Sequence, residues 1–125
     1  SISKQQAGMA ILQKLNFIKM NPGAKPMVSA GLTQATVEHL FGDIWSRPGF
    51  SLEERSLTTL TVLVALNREG EQVLHFRGAR NLGISKEKLE EMILHVAHYA
   101  GWPVAVSANR TLNEVWETMD KESAA

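Results

Sequence analysis

Three side chains in the middle of the sequence have the types and spacing for proton chemistry: His75, Glu71 one helical turn before it, and Glu54. On a helix, residues three and four apart are neighbours, so Glu71, His75, Gly78, Ala79 and Leu82 share one face. An acid at that spacing can accept a hydrogen bond from one ring nitrogen and raise the basicity of the imidazole. Glu54, in the first turn of the preceding helix, is placed to approach from across a helical hairpin. A histidine flanked by two carboxylates holds a proton near neutral pH, which suits general acid/base catalysis. Gly78 and Ala79 have almost no side chain, so another backbone or a ligand could come close to that face. Each residue also has an ordinary structural use. His75 could be a hydrogen-bonded core histidine, Glu71 an acid favoured by a helix N-terminus, and Glu54 one half of a capping box.

The element that must position these groups is the stretch from Ser51 to Gly83, SLEERSLTTLTVLVALNREGEQVLHFRGARNLG, which reads as two helices joined at Gly70. The run from Thr58 to Val64 is β-branched enough to pass for a buried strand, and periodicity alone does not decide. The ends decide. Ser51-Leu52-Glu53-Glu54 has the Ser-x-x-Glu pattern of a capping box, and Gly70 suits the left-handed position that closes a helix. TLTVLVAL, from Thr59 to Leu66, offers so little polar surface that burial on most sides is expected.

Upstream, Ala7, Ile11, Leu12, Leu15 and Ile18 predict a first helix from Gln5 to about Lys19. Asn21-Pro22-Gly23-Ala24-Lys25-Pro26 breaks it, and a loop continues to Gly31. Thr33 is the expected N-cap of the next helix, where Val37, Leu40, Phe41, Ile44 and Trp45 follow the amphipathic template. Downstream, Ile84 and Leu89 bracket the N-cap Ser85 as a hydrophobic staple. Leu89, Met92, Ile93, Val96, Ala97 and Ala100 form a buried stripe. Gly101-Trp102-Pro103 ends that helix and starts the last one, lined by Val104, Ala108, Leu112, Val115, Trp116 and Met119. The tail from Asp120 to Ala125 is expected to fray. About six helices with short connections make an all-α domain covering residues 1–125.

Composition narrows the function classes. The chain has no cysteine, which excludes disulfides, thiolate metal sites and dithiol redox chemistry. Lys plus Arg and Asp plus Glu number 13 each, so no net positive charge argues for nucleic acid or an acidic membrane surface. No apolar run reaches the length of a membrane span, and the N-terminal end has no signal-peptide layout. The expectation is a soluble, cytoplasmic protein. Glu71, His75 and His95 lack a compact metal-ligand motif, so neither metal nor cofactor is expected. His95 and Tyr99 share a face beside the core stripe, fit for a pocket wall or a subunit contact. His98 points away from the core, and Arg55, Arg68, Arg77 and Arg80 read individually as surface residues.

Taken together, several motifs resemble the 4-carboxymuconolactone decarboxylase family. They are Phe41-Gly42-Asp43-Ile44-Trp45-Ser46-Arg47-Pro48-Gly49, Glu54-Arg55-Ser56-Leu57, Ala65-Leu66-Asn67-Arg68-Glu69-Gly70-Glu71, Leu74-His75, Gly78-Ala79-Arg80-Asn81, Ile93-Leu94-His95 and Tyr99-Ala100-Gly101-Trp102-Pro103. The likeness runs from about Phe41 to Trp116. It implies the alkylhydroperoxidase-D-like helical fold with a central helical hairpin, and assembly as a trimer or hexamer. It also implies cofactor-free decarboxylation of a small carboxylated lactone in aromatic-compound breakdown. The family histidine maps to His75 and the upstream acid to Glu54. The peroxidase branch of the superfamily carries a Cys-x-x-Cys pair where Arg68 and Glu71 stand here, so that branch is excluded. On this resemblance His75 would deliver the proton, with Glu71 or Glu54 setting its state. Arg47 or Arg55 would bind the substrate carboxylate, and Trp45, Met92, His95, Tyr99 and Trp102 would line the site. Two departures stand out: Gly8 is followed by Met9-Ala10-Ile11-Leu12 rather than by basic residues, and Asn81-Leu82-Gly83 replaces Asn-Asn-Gly. They favour the rival readings, an enzyme acting on another lactone or a non-catalytic oligomeric binding protein of the same fold.

Overall fold

The computed structural model describes residues 2–17 and 28–125. The first helix ends at Leu15, short of the expected Lys19; Ile18, Lys19 and the break around Pro22 and Pro26 lie outside the described residues. Among those described, every regular element is helical: α1 (Lys4–Leu15), α2 (Ala30–Ala35) continued by a π-helical segment (Thr36–Ile44), α3 (Leu52–Ala65), α4 (Glu69–Asn81), α5 (Lys86–Ala100) and α6 (Trp102–Ala124). The all-α expectation holds. The chain divides into two compact units, residues 1–52 and 53–125.

In the first unit, Ser3 and Gln6 form a reciprocal capping box that starts α1. Asn16, in the left-handed conformation (φ 58°), ends it. The Asn16 and Phe17 amides then bond the carbonyls of Gln13 and Leu12, the paired bonds of a Schellman ending. The cap of α2 is Ser29, whose hydroxyl accepts from the Leu32 amide at 3.1 Å. Thr33, the expected cap, lies a full turn inside and spends its hydroxyl on the Ser29 carbonyl.

The next stretch departs from the α template. The Trp45 amide bonds the carbonyl of Leu40, five residues back, at 2.9 Å. Five-residue closure widens the turn beyond 3.6 residues, so residues four apart stack. Phe41 and Trp45 are therefore buried with ring centroids 5.2 Å apart, while Leu40 and Ile44 are 43% and 38% exposed rather than inside. Against this segment α1 lies at backbone distance. A Cβ added at Gly8 would collide with the Val37 carbonyl, and one at Gly42 with the Lys4 carbonyl.

In the second unit, α3 begins directly after Ser51. Its closing residue is Asn67 (φ 57°), not Gly70. The Asn67 amide bonds Val64 and the Arg68 amide bonds Leu63 at 2.8 Å, again a Schellman ending. Asparagine tolerates the left-handed region, so closure comes early and Gly70 falls inside the first turn of α4. Gly83 (φ 90°) closes α4 in the same way. As expected, Ser85 caps α5 through the Lys88 amide, with Ile84 and Leu89 both buried around it. Gly101 (φ 105°) separates α5 from α6, whose first turn carries Pro103.

A single apolar cluster joins Leu60 and Val64 of α3, Phe76 and Ala79 of α4, Leu89 and Ile93 of α5, and Ala108 and Leu112 of α6. Ala79 thus serves helix packing. Polar ties hold α4 to α6 along its length: Ser107 to Glu69, Arg77 to Glu122 at 2.6 Å, and Arg80 to Asp120 at 2.7 Å. Arg80 also bonds the Trp116 carbonyl and lies 5.0 Å over the Trp116 ring. Arg77 and Arg80 are therefore packing residues rather than ordinary surface ones. They explain why α6 runs on to Ala124 instead of fraying from Asp120. TLTVLVAL is covered on one side only: Leu60 and Val64 are fully buried, but Val62 and Leu66 remain 50% and 66% exposed.

The Gly8 crossing yields a stability test. Gly8→Ala should lower stability by about 1–3 kcal/mol through overpacking against a carbonyl that cannot rotate away. Gly31→Ala, in α2 with open space around it, should instead gain up to about 1 kcal/mol from helix propensity. Urea denaturation of the two variants checks the opposite signs.

Candidate active site

Helix α4 starts at a turn that presents three polar side chains in line. Arg68 stands at its N-cap, Glu71 in its first turn and His75 one turn on. Side chains on a helix lean toward its N-terminus, so the His75 ring leans toward Glu71. From the other side the Arg68 guanidinium reaches forward, Nη2 donating to Glu71 Oε1 at 2.6 Å.

Charge and burial act against each other here. The Arg68 hydrogen bond holds the Glu71 carboxyl below its ordinary range, so Glu71 is firmly ionised. Its negative charge pulls the His75 proton affinity up. Burial of the half-covered ring, whose Nδ1 is shut off from solvent, pushes it down and wins. The net shift of His75 is therefore below 6.5, opposite to the raised basicity that the spacing suggests. The sequence shows the acid one turn away but not the covering of the ring.

The other expected site residues fall as follows. Glu54 is exposed in the first turn of α3, its carbonyl accepting from the Thr58 hydroxyl at 2.8 Å. Its neighbour Arg55 is half-buried, with Nε shielded from solvent. His95 and Tyr99 stack on the outer face of α5 with centroids 5.2 Å apart, and Tyr99 is 83% exposed. Trp102 borders a groove of about 480 Å³ between α5 and α6, with Leu94, Val106 and Arg110. His75, His95 and Tyr99 do not line that groove. Met92 is half-buried against the core cluster. In the first unit, Trp45 and Arg47 border a recess of about 390 Å³ with Ile11, Lys14 and Phe50. Within the second unit, then, the closely coupled set is Arg68, Glu71 and His75. Sequence reading passed over Arg68 as a surface residue, although its place three before Glu71 is ion-pair spacing. Among the described residues no three His, Asp or Glu side chains converge as a metal site.

Comparison with known proteins places the chain in a family. The model of the Carboxymuconolactone decarboxylase family matches residues 30–114. The chain belongs to that family. The matched stretch carries Glu54, Arg68, Glu71 and His75. Over 79 residues, 63% of its length, the chain is 43% identical to the 4-carboxymuconolactone decarboxylase of Acinetobacter baylyi. Over 96 residues, 74% of its length, it is 34% identical to the nitrosuccinic acid decarboxylase npaB of Metarhizium robertsii. The matches cover 59% and 66% of those two proteins, so the chain spans less than two thirds of the length of the curated relatives it matches.

In this carboxymuconolactone decarboxylase family member the sign of the His75 shift is directly measurable. With the folded value below 6.5, the unfolded chain takes up the proton first as pH falls. The stability held by the neutral ring is therefore present above about pH 6.5 and lost as pH drops toward the folded value. Ring NMR should show His75 titrating below 6.5, and Glu71→Gln, which removes the raising charge, should lower it further. Between about pH 7.5 and about pH 5.5, wild type should lose more stability to urea than His75→Gln.

Proposed function

We propose that the chain is a cofactor-free carboxy-lyase acting on a small carboxylated unsaturated lactone such as 4-carboxymuconolactone, with His75 as proton donor. The observation that carries this reading is the half-buried imidazole beside a firmly ionised acid on α4, in a chain similar to two proteins named as decarboxylases.

The reaction breaks one carbon–carbon bond. Carbon dioxide leaves, and its bonding pair stays on the ring carbon and spreads through the conjugated lactone as an enolate-type anion. That anion takes a proton on carbon, so one proton is consumed for each carbon dioxide released. His75 supplies it and is recharged from solvent. The lowered proton affinity fits the task. A substrate carboxylate beside the ring raises its affinity for the proton. Carbon dioxide leaves as a neutral molecule and that charge passes to the carbanion, so the imidazolium meets its acceptor as the acceptor forms. Glu71 sets the state of the ring through charge. Glu54, Arg55 and Arg47 remain the proposed assisting acid and carboxylate-binding groups, and Trp45, His95, Tyr99 and Trp102 the proposed walls.

The apolar side chains left exposed on α3 and α4, Val62, Leu66, Val73 and Leu74, support work as a homo-oligomer, a trimer or hexamer, rather than as a lone chain. A second substrate reading has its own support. Nitrosuccinic acid shares with carboxymuconolactone a carboxylate whose loss leaves a carbanion on an electron sink, so the same proton donor would serve a nitro acid.

The test follows loss of 4-carboxymuconolactone and release of carbon dioxide. His75→Ala should cut kcat/KM by about 10²–10⁴, and full turnover in that variant would remove His75 from its role. For wild type, kcat/KM should fall as pH rises through the free-enzyme value below 6.5. The matching limb of kcat should sit at higher pH, because the bound carboxylate strengthens the ring's hold on its proton. A kcat/KM that instead rises with pH through this range would make the ring a neutral base.

A further inference from the structure

The geometry points to Arg68 as the receptor for a carboxylate of the substrate, mounted in line with His75 and held ready by Glu71. This rests on the decarboxylase reading above and adds to it a binding residue to which the sequence alone gives no such role.

The argument starts from how the residue is mounted. The Arg68 amide donates to the Leu63 carbonyl at 2.8 Å, and the Arg68 carbonyl accepts from the Gln72 amide at 3.0 Å. The same Leu63 carbonyl takes the side-chain amide of Gln72 at 3.1 Å, and Gln72 is fully buried. The backbone of Arg68 is thus fixed from both sides and anchored to the core through Gln72. Its guanidinium, by contrast, is 60% exposed. Among the described residues it engages Glu71 through Nη2, and Glu71 is itself 48% exposed. The fold accounts for this backbone mounting, but an exposed ion pair contributes little to stability, so the fold does not account for the guanidinium it carries.

Position and chemistry agree. Residues 68, 71 and 75 follow one line along α4, and seven residues of helix span about 10 Å. The forward reach of Arg68 and the backward lean of His75 shorten that gap to the scale of a small dicarboxylate. Guanidinium is the planar, permanently charged donor that takes carboxylates in pairs of hydrogen bonds. Carboxymuconolactone carries two carboxylates, so one can rest on Arg68 while the other departs beside His75. Glu71 holds the guanidinium forward in the absence of substrate and yields it cheaply, because the pair is solvent-screened.

The test measures equilibrium binding of 4-carboxymuconolactone to His75→Ala protein, with and without a second change at Arg68 or Glu71, and kinetics on the His75 protein. Arg68→Gln should weaken binding and raise KM by about 10- to 100-fold, the size expected for a charge-assisted hydrogen bond. The thermal midpoint should stay unchanged, and Arg68→Lys should restore part of the loss. Glu71→Gln should tighten binding by removing the internal competitor, whereas a merely structural ion pair would make the two variants alike. Binding and KM indifferent to Arg68→Gln overturn the inference and leave the decarboxylase reading standing. Binding lost with Arg68 in a protein that turns over no lactone overturns the decarboxylase reading and leaves the receptor. No binding to the Arg68-containing protein overturns both.

Discussion

One carbonyl does more than any other group to set the geometry of the second unit. Leu63 lies near the end of α3, where carbonyls lose their intrahelical partners and must find others. It finds two: the Arg68 amide and the side chain of the buried Gln72. Closing on Arg68 forces Asn67 into the left-handed conformation and starts α4 at Glu69. Closing on Gln72 pins the first turn of α4 to the core. The line of Arg68, Glu71 and His75 follows from where that turn begins, since a start one residue later would rotate all three about the helix axis. At its other end α4 is held by Arg77 and Arg80 to α6. The imidazole is therefore carried on an element fastened at both ends, which keeps one side of the ring covered.

Covering the ring decides its chemistry. Glu71 alone would make His75 a stronger base, but the acid is half in solvent and its charge is shared with Arg68 at 2.6 Å. Screening and pairing weaken its pull on the ring, whereas desolvation acts undiminished on a group that must be charged to hold a proton. A weakly basic resting imidazole is of little use as a standing acid. It becomes one only when an anion arrives beside it. On the proposed reading, proton loading follows occupancy by a carboxylate, and the charge that loads the ring passes to the carbanion when neutral carbon dioxide leaves.

The parts legible in the sequence were those governed by neighbours along the chain. Ser85 as a cap, Ile84 and Leu89 as a staple, the stripe through Ile93, Val96 and Ala97, and the Gly101–Pro103 junction all depend on contacts within a turn or two, and all are present. The misses have several causes. Gly70 lost the closing position to Asn67, and Thr33 lost the cap to Ser29, because each helix had a competent residue one turn earlier. Leu40 and Ile44 came out exposed because the segment closes five residues back, a choice made where α1 crosses it at Gly8 and Gly42. The tail from Asp120 is ordered by arginines some 40 residues upstream. At the site the acid and the histidine were visible as a pair, but the burial that reverses the shift of the ring comes from packing. Arg68 looked like surface because an exposed side chain on a fixed backbone has no signature in composition.

The absence of cysteine gives the Arg68–Glu71 pair its meaning. Side chains three apart on a helix come within bonding distance, which is what a dithiol needs in order to close and open as it passes electrons. Arg68 and Glu71 occupy the spacing at which the peroxidase branch of the superfamily carries its two cysteines, and they use the same proximity for an ion pair at 2.6 Å. Neither side chain can be oxidised and reduced in turn, so this pair does no dithiol exchange. What a guanidinium and a carboxylate can do there is hold, screen and exchange charge. On the proposed reading the helix face serves a reaction in which a charge moves and a proton follows it, as in loss of carbon dioxide from a carboxylate with protonation of the carbon left behind.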